Sequence, residues 1–293
     1  MSNTSTEDGL ARLNSEYVLR PLFGILLALV VIGAVALGPE PFGVLVVLVS
    51  LLAAREWHRL VRTGEGEALP FHKNPFHLQT IVTTLAVAAA VMAMIEELPL
   101  AAFAVLLAGT VGAYLLARSR GDNALWQGAG VLYIGVPALS LLALHIYPLN
   151  HGPHPQVVVG FFLLVWANDT GALIVGKLVG GPKLAPAISP GKTWSGTIGG
   201  SVCAALVYGL YVWFYGFSVG PAIVFAFALS FVAHAGDLFE SFVKRRFGRK
   251  DSGRIIPGHG GVLDRVDSTF AAAPVLAILA FGLGLNPLFG GIW

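Results

Sequence analysis

Ser241-Phe-Val-Lys-Arg-Arg-Phe-Gly-Arg-Lys-Asp-Ser-Gly-Arg-Ile-Ile-Pro-Gly-His-Gly-Gly-Val-Leu-Asp-Arg-Val-Asp-Ser268 is the most polar stretch of a chain that is otherwise apolar along most of its length. It sets seven Lys/Arg, three Asp and a Pro257-Gly258-His259-Gly260-Gly261 turn between two long apolar segments. Apolar runs of about 20 residues cross a bilayer as helices, because only a helix satisfies its own backbone in hydrocarbon. The contrast between this stretch and its flanks therefore decides the fold.

The rest of the chain agrees. Of 293 residues, 56% are hydrophobic and 12% are charged, with a mean hydropathy of +0.76. A soluble domain carries about 25% charged residues. The expected class is all-α, a polytopic membrane protein with about nine transmembrane helices. The candidate spans are 20–38, 41–55, 78–95, 98–117, 126–147, 156–177, 194–216, 218–237 and 268–288, the second being the shortest. Residues 1–19 read as a polar, disordered cytoplasmic tail, and 20–293 as one membrane domain. Cys203 is the only cysteine and sits in an apolar run, which excludes an intrachain disulfide and a cysteine-rich metal site.

Charge placement orients the helices. If the N-terminus is cytoplasmic and all nine segments cross, all 18 Lys and Arg fall on the cytoplasmic side. Glu40, Glu96, Glu97, His151 and His154 fall on the other. Gaining or losing one internal span would scramble that segregation. Arg12, Arg20 and Ala34-Val35-Ala36 also fit a secretory signal. The apolar run is long, however, and a retained first helix fits the topology. The expectation is a multi-pass protein of the inner (plasma) membrane with its polar site facing the cytoplasm.

Three stretches carry chemistry, and 160–270 contains them all. In the first, 237–268, a continuing helix would align Asp237, Glu240, Ser241, Lys244 and Arg245 on one face. Phe247-Gly248 would end it. Lys250-Asp251-Ser252-Gly253 and Pro257–Gly261 read as loop, whose glycines let backbone N–H groups approach phosphate oxygens. Asp264 and Asp267, spaced i, i+3, share a face if a helix begins there. A basic loop obeying the charge rule explains the arginines, but not these carboxylates or the glycines. Paired carboxylates beside cations suit a magnesium–nucleotide site. In the second stretch, Asp169 lies within an apolar span, where an ionisable residue is a functional candidate. The third is Pro182–Trp194. Its Gly191-Lys192-Thr193 lacks the earlier glycine and the strand of a P-loop. Ser189, Lys192 and Thr193 remain candidate phosphate ligands. His234 either hydrogen-bonds inside the bundle or serves the site, and His145 has no evident partner.

Ser241-x-x-Lys244-Arg245, Lys250-Asp251, Pro257-x-His259-Gly260-Gly261 and Asp264-Arg265-x-Asp267 together resemble the defining motif of the phosphatidate cytidylyltransferases, the CDP-diacylglycerol synthases. Asp169, Gly176, Lys183-Leu184-Ala185-Pro186, Ser189-Pro190-x-Lys192-Thr193-Trp194 and Gly236-Asp237-Leu238-x-Glu240-Ser241 resemble the same family. Before residue 150 the resemblance lies mainly in hydropathy and in Arg55-Glu56-Trp57. It implies a nucleotidyltransferase of phospholipid biosynthesis that transfers CMP from CTP to phosphatidate, giving CDP-diacylglycerol and pyrophosphate. It implies Mg²⁺ held by Asp237 and Asp264, with a place for a second metal ion, and a homodimer in the bilayer with no nucleic-acid partner. Asp267, Lys244 and Arg245 would complete the catalytic set. Substrate contacts would come from Asp169, Ser189, Lys192, Thr193, Ser241, Lys250, Asp251, His259, Gly260, Gly261 and Arg265. The rival readings are a CTP-dependent lipid kinase, which would move the γ-phosphate, and a transporter of an anionic solute, which would distribute polar groups through broken helices at the midplane.

Overall fold

Among the described residues, nine helices form close to where the hydropathy places them. The computed structural model describes residues 24–62, 77–147, 155–253, 260–282, 285–286 and 291–292. The tail 1–19, the loop 63–76 and Arg254–His259 lie outside the described residues. The helices are α1 (Gly24–Leu37), α2 (Pro39–Leu60), α3 (Leu78–Ile95), α4 (Pro99–Ser119), α5 (Ala124–Ile146), α6 (Pro155–Val179), α7 (Trp194–Phe214), α8 (Val219–Arg246) and α9 (Leu263–Ala277). α9 continues as a π-helical turn, Ile278–Gly282. Eight of the described helices are long and apolar enough to cross a membrane, and the chain is a multi-pass membrane protein.

Two spans run further than hydropathy suggests. α2 continues to Leu60 because Arg55, Glu56, His58 and Arg59 are buried in the bundle instead of solvated. His58 Nδ1 lies 2.6 Å from Gln127 Oε1, and His58 Nε2 lies 2.6 Å from Thr83 Oγ1, so this one ring ties α2 to α5 and α3. α8 spans 28 residues, roughly 42 Å at 1.5 Å per residue, against a hydrocarbon core of about 30 Å. Its last turns carry Lys244, Arg245 and Arg246 past the apolar zone, and Gly248, at φ 68°, turns the chain out of the helix. Residues 182–193 contain an antiparallel hairpin, β1 (Lys183–Ala185) and β2 (Ser189–Thr193), with Lys183 opposite Thr193.

α2 to α5 pack as one group and α6 to α9 as another, joined along α5 and α9. Without a hydrophobic drive between helices in lipid, small residues set how closely they approach. On α7, a Cβ added to Gly200 would stand 2.6 Å from the Asn168 carbonyl oxygen, so α6 and α7 touch through backbone. On α8, a Cβ at Gly236 would stand 2.6 Å from the Asp267 carbonyl oxygen. That bare contact sets Asp237 beside the acidic turn of α9. His234 Nε2 lies 3.1 Å from the Thr197 carbonyl oxygen and serves the α7–α8 packing. His145 does find a partner, the Val35 carbonyl oxygen at 2.9 Å.

The contacts also fix which helix ends share a side. The C-terminal ends of α2, α6 and α8 meet the N-terminal ends of α5, α7 and α9, and every Lys and Arg among the described residues belongs to that end. In a Cys203→Ala background, Lys250→Cys and Glu96→Cys should therefore react with a membrane-impermeant maleimide from opposite sides. Labelling from one side would contradict the five spans between them.

Candidate active site

α8 and α9 bring the acidic and basic residues of 237–268 onto one surface. Lys244 Nζ sits 2.7 Å from Glu240 Oε2, one helical turn back, and 2.7 Å from Asp264 Oδ1 on α9. Asp264 Oδ2 accepts the backbone N–H of Gly261 at 3.0 Å, so both of its oxygens are held. A carboxylate at the start of a helix also complements the dipole. One turn before Lys244, Ser241 Oγ donates to Asp237 Oδ1 at 3.4 Å. Asp237 Oδ2 lies 2.5 Å from Lys192 Nζ, which reaches in from β2. The Asp237 side chain is 35% exposed and that of Glu240 is fully buried, so the row runs from an open mouth into the bundle.

The hairpin is fastened at both ends. Thr193 is the N-cap of α7: its Oγ1 accepts the Gly196 N–H at 3.1 Å and is 3.0 Å from Ser195 Oγ. Ser195 in turn donates to the Gly180 carbonyl oxygen. Arg245 Nε donates to the Ile188 carbonyl oxygen at 3.2 Å, so this exposed guanidinium holds the hairpin turn rather than meeting the carboxylates. Ser189 is half-buried at the start of β2, opposite Ala185. Lys250, Asp251 and Arg265 are exposed, and His259 lies outside the described residues. Gly260 takes φ 84°, and a Cβ there would be 3.3 Å from Asp264 Oδ2.

Asp169 belongs to the same surface. Although it lies in an apolar span, its side chain keeps accessible surface. Its Oδ1 accepts Ser268 Oγ from α9 at 3.3 Å. It lies within electrostatic reach of Asp237 and Lys192. Asp267 is buried, accepts the Ser268 N–H at 2.8 Å, and feels the charges of Asp237, Glu240 and Asp169.

Five carboxylates thus gather where the ion pairs described above set two lysines. Among the described residues no three His, Cys, Asp or Glu side chains already form a metal-binding group. The donor set nonetheless fits a hard cation: the candidate ligands are all oxygen, and carboxyl groups outnumber the two lysines paired with them. Mg²⁺ commonly takes one or two carboxylates and fills its remaining positions from substrate phosphates and water.

Four residues of this region carry no role in the sequence reading. Glu240 is legible as part of a helical face and of the stretch 236–241, with no role attached. Ser268 carries no signal beyond following Asp267. Tyr133 on α5 packs its ring against Trp57, Phe239 and Phe270, and its buried hydroxyl has no hydrogen-bond partner among the described residues while lying near the charges of Asp267, Glu240 and Asp237. Glu56 on α2 accepts from the other side of the α9 N-terminus. Helical spacing cannot reveal it, because its partners are about 200 residues away.

An all-helical membrane bundle with a lysine–carboxylate cluster at its basic end defines the class of protein. Residues 18–282 match the model of the cytidylyltransferase family, and the chain belongs to that family. It is 49% identical over 156 residues to the phosphatidate cytidylyltransferase of Brucella suis, covering 52% of this chain and 55% of that protein. It is 44% identical over 155 residues to that of Rickettsia bellii (50% and 65%), and 42% identical over 151 residues to that of Staphylococcus haemolyticus (51% and 56%). The chain spans about half the length of the curated relatives it matches.

Proposed function

We propose that the chain is a phosphatidate cytidylyltransferase, joining CMP from CTP to phosphatidate and releasing pyrophosphate. The observation that carries this reading is Lys244 bridging Glu240 and Asp264 beside the Lys192–Asp237 pair, at the basic end of a membrane bundle. An anionic nucleotide needs cations at that level, and a diacyl substrate must keep its tails in the bilayer. The named relatives support the choice of substrates. The uninterrupted helices α2 to α8 and the gathering of polar groups at one end do not favour a transporter.

A phosphatidate phosphate oxygen attacks the α-phosphorus of CTP. The new P–O bond forms as the α–β anhydride bond breaks, and pyrophosphate leaves with the bonding pair. The attacking monoester is already anionic near neutral pH, its second pKa lying at about 6. No side chain need act as base, and catalysis is positioning and charge stabilisation. Lys192 and Lys244 face the phosphates from β2 and α8. Lys250 and Arg265 supply further charge, and Arg245 holds the hairpin that carries Lys192. The Gly261 N–H is committed to Asp264 Oδ2 and fixes that carboxylate. Asp237 and Asp264, with Asp267 beside them, would hold Mg²⁺. When bound, the ion would offset triphosphate charge. The protein would work as a homodimer in the inner membrane with this end cytoplasmic.

The test is product analysis with purified protein in detergent, given phosphatidate, CTP and Mg²⁺. One CDP-lipid should form per pyrophosphate released. A phosphorylated lipid and free CDP would instead identify a kinase, and neither product would refute both enzyme readings.

A further inference from the structure

We propose that Glu56, on the second helix, is a positioning residue for the reaction centre: it is the N-terminal cap of α9 and sets where Asp264 and Asp267 stand. This rests on the reading above, that those aspartates belong to the cytidylyl-transfer site.

The N-terminus of a helix leaves four backbone N–H groups without partners. α9 has no cap of its own, since the residue at its N-cap, Val262, has an apolar side chain and helical φ/ψ. Glu56 supplies what is missing. Its Oε1 accepts the Val262 N–H at 3.1 Å and its Oε2 accepts the Leu263 N–H at 2.8 Å. Ser252 Oγ donates to the same Oε2 at 3.2 Å, which pins the strand of chain leaving α8. One buried carboxylate therefore clamps both ends of the 252–263 connection to a helix from the opposite group of the bundle.

The connection is shaped to receive it. A Cβ on Gly253 would come 2.1 Å from Glu56 Oε1, and one on Gly261 would come 2.6 Å from Glu56 Oε2. Side chains at either position would displace the carboxylate. Asp264 follows Leu263 directly, so the residue Glu56 holds is the one before the Lys244 partner. Asp267 lies one turn further along. Loss of the cap frees the first turn of α9, which carries both aspartates, while Lys192, Asp237 and Lys244 stay on elements that Glu56 does not touch. This accounts for an acidic residue buried at the end of α2, remote in sequence from the aspartates it positions.

The test compares full-length wild type, Glu56→Gln and Gly253→Ala in detergent. Gln keeps the size of the side chain but replaces one acceptor oxygen with a donor. Gly253→Ala attacks the same contact from the loop, which keeps the test decisive if a substitution in α2 impairs folding. Amide hydrogen exchange should rise about tenfold in peptides covering 252–268 and stay unchanged in α4 and α7. kcat should fall about 10–100-fold with KM for CTP nearly unaltered, and the double variant should be little worse than either single. Unchanged exchange at 260–266 would overturn the cap. Faster exchange with unchanged kcat would overturn the positioning role. A general rise in exchange with a large fall in Tm in both variants would make Glu56 a packing residue only. The wild-type product is read in the same assay, so failure of the cytidylyltransferase reading shows there, independently of the exchange result.

Discussion

Asp264→Asn and Asp237→Asn should each lower turnover by at least about 10²–10³-fold, the loss typical of removing one preorganised charge-stabilising group. Asparagine preserves size, and at position 264 it can still accept the Gly261 N–H. What it loses is charge: the partner of Lys244 in one case and of Lys192 in the other. Each lysine would then be free to rest on substrate phosphate in the ground state, instead of being held in register by α9 or α8. The two carboxylates belong to one lysine–carboxylate cluster on α8 and α9, so the double variant should be little worse than either single. Rates measured in detergent at saturating CTP and phosphatidate, with membrane yield as a folding control, check this. Wild-type turnover in either variant would remove that residue from the site.

Lys244→Met should damage both folding and activity. Lys244 is the charge partner of Glu240, which is fully buried, and of Asp264, whose side chain is 16% exposed. Removing one partner from a buried ionic group costs about 3–5 kcal/mol, because a carboxylate is left uncompensated. The double variant Lys244→Met/Glu240→Gln removes the orphaned buried charge and should recover most of the lost thermal stability. It should not recover turnover, because the cation facing the phosphates is still absent. If activity returns with stability, Lys244 is a structural ion-pair partner and not part of the reaction centre.

Much of this arrangement is legible in one sequence, and the reason is physical. Hydrocarbon allows few backbone solutions, so hydropathy places α3 at 78–95 as it forms and leaves α5 and α6 within two residues. The i, i+3 and i, i+4 spacings put Asp237, Ser241 and Lys244 on one face because α8 does continue, and Asp264 with Asp267 because α9 does begin there. Hydropathy fails where charged groups are buried with partners. Arg55 and Glu56 read as the end of α2, although the helix carries them into the bundle. The hairpin at 183–193 is too short for an alternation signal, and prolines obscure it further. Thr193 and Arg245 read as phosphate contacts, but their side chains bond to backbone at the α7 N-terminus and the hairpin turn. No periodicity within one segment could predict the reach of Glu56 to α9, since that contact depends on how two helix groups dock.

In the proposed reaction the cluster of Asp237, Lys192, Lys244 and Asp264 moves a cytidylyl group onto a lipid phosphate. The most direct measurement supplies purified protein and phosphatidate with CTP labelled in either the α- or the γ-phosphate, and follows the label into the lipid fraction. Lipid should be labelled from α-labelled CTP alone, with the γ-label recovered in pyrophosphate, and no lipid should be labelled above background by Asp264→Asn. Lipid labelled from γ-labelled CTP, or α-label transfer undiminished in that variant, would contradict it.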